Sequence, residues 1–259
     1  MPARTGFKPP PDGIVFLAVP DRAVSEMAAR IAGLEPPHGL SFVHLSGALG
    51  LDALDALRER HAVGSFHPLQ SFPAPRDPSA FQGITVAVDA TTQSLMRRLR
   101  ALARAIGARP KHVPEGDRVL YHAAAVYASN FVDVVVAEAV RLLGEIGWTE
   151  REATEALMPL VEGAVSSIGQ LGPVRALTGP IRRGDAETVT RHLEALQKLG
   201  RSPSGASRHL PINGEEVYRM LALVALEIAL EAGLDPAAAE RTRRALTRHV
   251  AATRRRGGA

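Results

Sequence analysis

The segment YHAAAVYASNFVD, residues 121 to 133, places imidazole, hydroxyl, amide and carboxylate groups on a helix otherwise built of alanine, valine and aromatic residues. At about 100° per residue, positions 4, 7, 8 and 11 after His122 return to one side of that helix. The resulting stripe contains His122, Val126, Ser129, Asn130 and Asp133. Because a buried polar group without a partner costs about 1–3 kcal/mol, the stripe predicts either a groove that binds a ligand or polar contacts with neighbouring helices.

A second polar segment is LTGPIRRGD, residues 177 to 185. Its Gly-Pro pair suits a turn that starts a short helix, and Asp185 is well placed to cap the helix that follows. The guanidinium groups of Arg182 and Arg183 could bind a carboxylate or phosphate, with Thr178 as a further donor. Arginines in such turns are also commonly solvated, and the sequence leaves both interpretations open.

The first half of the chain alternates short apolar runs with amphipathic stretches, which is typical of parallel strands joined by crossover helices. We predict strands at 13–21, 41–47, 62–68 and 83–90, and helices at 23–34, 51–61 and 92–106. The segment GARPKHVPEGD, 107–117, contains two prolines and marks the end of this half.

The second half has helical periodicity throughout. A continuous helix is predicted over 117–147, about 45 Å long at 1.5 Å per residue, and further helices at 149–170, 186–199, 214–232 and 235–255. Residues 200–214 are predicted to be a surface loop and the closing TRRRGGA a solvated basic tail. The sequence therefore predicts an α/β domain over 1–115, followed by an all-α domain over 116–259.

Composition restricts the possible functions. The chain has no cysteine, which excludes disulfides and thiolate chemistry. Its nine histidines form no HExxH-type pair, so no metal site is predicted. The net charge is only +4 and aromatic residues make up 4% of the chain, so nucleic acid is not an expected partner. The longest apolar window, 119–143, is too polar for a lipid-facing span, and no signal peptide is evident, so we expect a cytoplasmic protein.

An open α/β sheet that binds a dinucleotide normally has a glycine-rich turn between its first strand and first helix. Here the nearest glycines, Gly6 and Gly13, flank a proline run instead. If the sheet is Rossmann-like, we expect the sequence to start after the first strand, the phosphate-binding helix and the second strand.

The motifs VFLAVPD, HLSGALG, SFHPLQSF, YHAAAVYASNF and ALTGPIRRGD, in this order, resemble the Rossmann-like oxidoreductases that carry domain of unknown function 2520 at the carboxyl end. That family is related to pyrroline-carboxylate reductase and to prephenate, 6-phosphogluconate and β-hydroxyacid dehydrogenases. The resemblance implies a truncated Rossmann-like parallel sheet followed by a helical 6-phosphogluconate-dehydrogenase-like domain. It also implies NADP or NAD as cofactor, bound weakly without the glycine-rich turn, and a small oxo or hydroxy acid as substrate, such as one similar to ketopantoate.

Roles for individual residues follow from the same resemblance. His122 would donate a proton to the substrate carbonyl while Asn130 holds the substrate, and His67 competes for the acid role. The candidate substrate contacts are Gln70 and Ser129, together with Thr178, Arg182 and Arg183 of the anion site described above. The implied cofactor contacts lie at strand ends, at Val19, Pro20, Asp21, Ser46 and Gly47. Asp21 and Gly47 also have a purely structural interpretation, as a helix cap and a turn residue.

Two alternatives to an enzyme remain at this stage. The absent glycine-rich turn favours a non-catalytic binding or dimerisation module, and the arginines between 241 and 256 would suit a salt-dependent nucleic-acid contact. A homodimer is expected in either case, because the segment VYRMLALVALEIALEAG is apolar enough to need cover from another helix. The sequence does not say whether that helix belongs to the same chain.

Overall fold

The structure is a computed structural model and describes residues 11–200 and 214–248. The chain forms two compact units, Met1–Val135 and Val136–Ala259. The predicted loop at 200–214 and the basic tail lie outside the described residues, apart from the ends of the flanking helices. The predicted boundary at residue 115 falls inside the first unit, because the helix that follows it is anchored to the strand ends through Arg118.

The first unit contains a five-stranded sheet in the order β1-β2-β3-β4-β5. The strands are β1 Asp12–Leu17, β2 Gly39–His44, β3 Ala62–Pro68, β4 Thr85–Ala90 and β5 Arg109–His112. The helices of this unit are α1 Val24–Ala32, α2 Asp55–Arg58, α3 Gln93–Ala105, α4 Arg118–Ala128 and the start of α5 Asn130–Gly144. The α/β class and the first four strands were predicted correctly.

Alternating side chains place one apolar layer on each face of the sheet. On one face, Phe42 and Val63 pack with α1 and α2 through Ala28 and Leu57. On the other face, Val43 and Val88 of the strands pack against α3. Because helices cover both faces, the strands are apolar on both sides, as expected for a largely parallel sheet.

Two features of the sheet differ from the prediction of parallel strands. β3 and β4 are antiparallel, because the connection 69–84 contains only a short 3₁₀ turn, Pro78–Phe81, and lacks the crossover helix that a parallel return requires. β5 was not predicted, because the sequence Arg-Pro-Lys-His is polar and contains a proline. Pro110 is tolerated there because β5 is an edge strand.

The predicted continuous helix over 117–147 is instead two consecutive helices, α4 and α5. Ser129 adopts φ −127° and ψ −79°, outside the helical region, so the helical pattern restarts at Asn130. Taken together, Glu115–Gly144 is long and apolar enough to cross a membrane by length and composition, the one such segment in the described part of the chain.

The second unit is entirely helical within its described residues. After the end of α5 its helices are α6 Glu150–Leu171, α7 Pro173–Ala176, α8 Gly179–Arg183, α9 Ala186–Gly200, α10 Gly214–Glu231 and α11 Pro236–Thr247. α6 begins at a capping box in which Thr149 and Glu152 bond each other's backbone amides. The core of this unit joins Ile181, Val189, Leu226 and Leu246 from α8, α9, α10 and α11.

Candidate functional site

A cavity of about 470 Å³ opens beside the carboxyl end of β3 in the first unit. This volume suits a small ligand. Its polar lining includes five residues predicted from the sequence, His67, Gln70, His122, Ser129 and Asn130, together with Ser71 and Tyr121. Leu69, Val126 and several alanines of α4 supply the apolar part.

The helix stripe accounts for one wall of this cavity. His122 and Val126 line it from one side of α4, and Ser129 and Asn130 line it from the break between α4 and α5. Asp133, the last member of the stripe, does not line the cavity and is exposed. The polar groups of α4 and of the start of α5 therefore face a space that a ligand can enter.

His67 and Tyr121 form a hydrogen-bonded pair in the cavity wall. The Nδ1 atom of His67 lies 2.8 Å from the Tyr121 hydroxyl oxygen, and the two rings meet edge to face. Burial lowers the pKa of His67 to about 4, and the nearby His122 imidazole and Arg118 guanidinium act in the same direction. Burial also raises the pKa of Tyr121, although Arg118 opposes this shift. At neutral pH the pair therefore consists of a neutral imidazole and a protonated phenol.

Gly47 allows two imidazoles to meet at the end of β2. A Cβ atom at this position would lie 2.8 Å from His67 Nε2 and 2.9 Å from His122 Nδ1. His122 Nδ1 is buried and has no hydrogen-bond partner among the described residues. Buried nitrogen atoms normally have partners, so this atom is a candidate contact for a polar ligand in the adjoining cavity.

Arg118 anchors α4 beneath these side chains and was not identified from the sequence. Its guanidinium is fully buried and donates to the Ser46 carbonyl oxygen at 3.2 Å and to the Ser65 hydroxyl. Arg118, Tyr121 and His122 share one side of α4, at spacings of three and four residues. Extending the predicted stripe by one turn towards the amino terminus would have found Arg118.

The predicted cofactor residues lie at the ends of β1 and β2. The Ser46 hydroxyl donates to the Asp21 carboxylate at 2.7 Å and accepts from the backbone amides of Ala48 and Leu49. Pro20 ends the extended segment after β1 and precedes a 3₁₀ turn that starts at Asp21. Val19 packs against the apolar layer beneath α1. These contacts give each residue a structural role in shaping the strand ends.

Thr178, Arg182 and Arg183 belong to the second unit. Arg182 donates to the Ala232 carbonyl oxygen at 2.9 Å, which ties α8 to the end of α10. Asp185 accepts from the Thr188 amide at 3.0 Å and caps α9 as predicted. In the same unit, Arg243 and Arg244 of the carboxy-terminal basic region form ion pairs with glutamates.

No group of three or more potential metal ligands occurs within residues 11–200 and 214–248.

A mostly parallel sheet covered by helices on both faces, with a polar cavity at its strand ends and a helical unit after it, defines a Rossmann-like protein with a helical carboxy-terminal region. The family model for domain of unknown function DUF2520 matches residues 84–225, more than half of the chain. The chain therefore belongs to the DUF2520 family, which confirms the resemblance inferred from the sequence motifs. A search of the curated proteins found no match.

Solved structures share this fold. A Bacteroides fragilis protein assigned as an NADP oxidoreductase is 24% identical, with a TM-score of 0.64 over 83% of this chain and 74% of its own. A Thermotoga maritima protein is 23% identical, with a TM-score of 0.65 over 85% and 78% of the two chains. Pyrroline carboxylate reductase from Plasmodium falciparum, solved with NADP bound, is 12% identical, with a TM-score of 0.51 over 88% and 77%.

Proposed function

We propose that the protein is an oxidoreductase that uses NADP or NAD to reduce a small oxo acid. The observation that carries this proposal is the convergence of His67, Tyr121, His122 and Asn130 on one cavity at a strand end. Ligands of open α/β sheets bind at this edge. The NADP oxidoreductase and the NADP-bound reductase named above support the choice of cofactor by their shared fold.

The described residues fit one end of a nicotinamide dinucleotide. The ends of β1 and β2 present Pro20, Asp21 and Ser46 beside the imidazoles that meet at Gly47. They could hold the nicotinamide end, whose chemistry is the delivery of a hydride to the carbonyl carbon. Within residues 11–200 and 214–248, no glycine-rich turn of the pyrophosphate-binding type lies between a strand and a helix. We therefore expect weak binding of dinucleotide by this chain.

The cavity residues would bind and orient the oxo acid. Gln70, Ser129 and Asn130 offer neutral donors and acceptors that can hold its oxygen atoms. Leu69 and the alanines of α4 would contact the apolar part of the substrate. Within the second unit, Arg182 and Arg183 form a separate proposed anion site, in which Arg182 also donates to the Ala232 carbonyl oxygen.

The proposal can be tested with deuterium-labelled cofactor. Purified protein is incubated with NADPH or NADH carrying deuterium at the transferred position and with a panel of 2-oxo acids, and the products are analysed by mass spectrometry. We expect deuterium in one hydroxy acid, and at least a tenfold loss of rate in Asn130→Ala. The exposed-site variant Glu155→Gln serves as a control and should be unchanged. No labelled product at millimolar cofactor would refute the enzyme and favour the non-catalytic binding module.

We also propose that the protein is a homodimer. In the second unit α10 buries Ala222 and Leu226 in its own core, so part of the apolar surface of this helix is covered within the chain. Apolar side chains nevertheless remain exposed on α6 and on the other side of α10, namely Met158, Leu160, Val165, Ile168, Leu171, Met220, Leu221 and Val224. Exposed apolar side chains on these two helices support an association surface, because large exposed apolar patches commonly mark protein–protein contacts.

Light scattering after size exclusion tests the dimer. We expect twice the chain mass for the wild-type protein and for Leu34→Asp, which changes an exposed leucine of the first unit. Leu160→Asp on α6 should shift the protein towards the monomer. A wild-type monomer at 100 µM would refute the proposal.

A further inference from the structure

The cavity holds a group that could donate a proton more directly than either histidine. Tyr121 lines the cavity, and its hydroxyl contacts His67 Nδ1 at 2.8 Å. His67 Nε2, on the other side of the same ring, points to the position above Gly47 that His122 Nδ1 also approaches. The three side chains therefore form a row from the cavity to a buried nitrogen without a described partner.

We propose that Tyr121 donates the proton to the carbonyl oxygen of the substrate, and that His67 relays a replacement proton to Tyr121 from the side of His122. This inference rests on the proposed function, since it assigns the acid of that reaction. It differs from the assignment implied by the family resemblance, in which a histidine is the acid.

The transfer balances when His67 starts as the tautomer protonated at Nδ1. The carbonyl carbon receives the hydride with its electron pair, and the oxygen takes the Tyr121 proton. The tyrosine oxygen then takes the Nδ1 proton of His67, while Nε2 gains the proton that the reduction consumes from solvent. His67 ends neutral as the other tautomer, and solvent exchange restores the starting state.

The protonation states of the pair agree with this order of transfer. With a pKa lowered to about 4, His67 is not protonated on both nitrogens at neutral pH and cannot act as the acid alone. A neutral imidazole, however, accepts at one nitrogen and donates at the other. Tyr121, with a raised pKa, retains its proton at neutral pH. Its hydroxyl can therefore donate a proton to a ligand in the cavity at neutral pH.

A second histidine–tyrosine pair in the chain provides a matched control. His192 Nδ1 lies 2.9 Å from the Tyr218 hydroxyl, with the rings again edge to face. Neither residue lines the cavity. Tyr121→Phe and Tyr218→Phe therefore each remove a tyrosine–histidine hydrogen bond. Only the bond of Tyr121 is proposed to act in the reaction, so Tyr218→Phe is the control.

The experiment combines kinetics with ¹⁵N NMR of the histidine rings. We expect Tyr121→Phe to lower kcat by at least 100-fold, within the usual contribution of a general acid, while Kd for NADPH stays within twofold. Tyr218→Phe should retain the wild-type rate. In the cofactor-free protein at pH 7, the ¹⁵N shifts of His67 should report a neutral ring with a proton on Nδ1, and Tyr121→Phe should alter the tautomer ratio.

The outcomes separate the two proposals. If wild-type protein transfers deuteride and Tyr121→Phe does so at a similar rate, the relay is refuted and the proposed function stands. If wild-type protein transfers none, the proposed function fails and the relay fails with it. A His67 ring protonated on both nitrogens at pH 7 would overturn the relay independently of activity.

Discussion

The buried histidines of the first unit predict a loss of stability in mild acid. His44 is fully buried, its Nε2 atom lies 3.1 Å from the Gly50 carbonyl oxygen, and its Nδ1 has no partner among the described residues. Burial, followed by the Arg118 charge, lowers the pKa of His44 from 6.5 to about 4. The unfolded chain therefore binds a proton as the pH falls below 6.5, whereas the folded chain does not until about pH 4.

The size of the effect follows from linkage. Stability is fully present above pH 6.5 and falls as the pH decreases towards 4, because only the unfolded state gains the proton. Between pH 7 and pH 5, His44 accounts for a loss of about 2 kcal/mol at 1.36 kcal/mol per pH unit. His67 has a similarly lowered pKa, but it is partly exposed and contributes about 1 kcal/mol after allowance for solvent screening.

Urea denaturation followed by circular dichroism at pH 7 and pH 5 measures this loss. In His44→Gln, which keeps a donor able to reach Gly50, the difference between the two pH values should shrink by about 2 kcal/mol. His192→Gln changes an exposed histidine of the second unit and should retain the wild-type difference. An unchanged pH dependence in His44→Gln would show that burial of this imidazole does not control acid stability.

Three further predictions concern the second unit. Gly184→Ala should lower the free energy of unfolding by about 1–3 kcal/mol, because Gly184 has φ +65° and a Cβ would lie 2.7 Å from that of Ala238; urea denaturation checks this, and an unchanged midpoint would contradict it. Leu226→Ala should cost about 2–5 kcal/mol in the same assay, because the side chain is fully buried. Glu215→Ala should cost about 3–5 kcal/mol, since it leaves the buried Arg219 guanidinium without its carboxylate partner at 2.6 Å and bonded only to backbone carbonyl oxygens of the described residues; a smaller loss in Glu215→Ala than in the exposed-pair variant Glu155→Ala would refute this reasoning.

The sequence predicted the elements whose hydrophobic pattern is strong. β3 was placed at its observed bounds, and α3 and α6 within about one residue of theirs. The sequence did not predict two features of the sheet. One is the antiparallel pairing of β3 with β4, whose connection lacks a helix. The other is β5, which is a polar strand. Neither feature produces a periodic apolar pattern in the sequence. The direction of β4 depends on the path of the connection before it, and β5 is polar because it lies at the edge of the sheet.

The candidate site was predicted in part for a similar reason. The stripe predicted from helical spacing identified His122, Ser129 and Asn130, which all line the cavity although the helix is interrupted at Ser129. Tyr121 was missed, because its partner His67 is 54 residues away in the sequence. Contacts of this kind come from the fold of the sheet, which positional patterns along one helix do not encode.

The hydrogen bond from Arg118 to Ser65 has an evolutionary consequence. Ser65 lies within β3 and does not line the cavity, yet it holds the guanidinium one turn before Tyr121 and His122. A substitution at either position would remove this hydrogen bond and shift the start of α4, which orients the Tyr121 and His122 rings. Positions 65 and 118 should therefore change together among related proteins, even though neither lines the cavity itself.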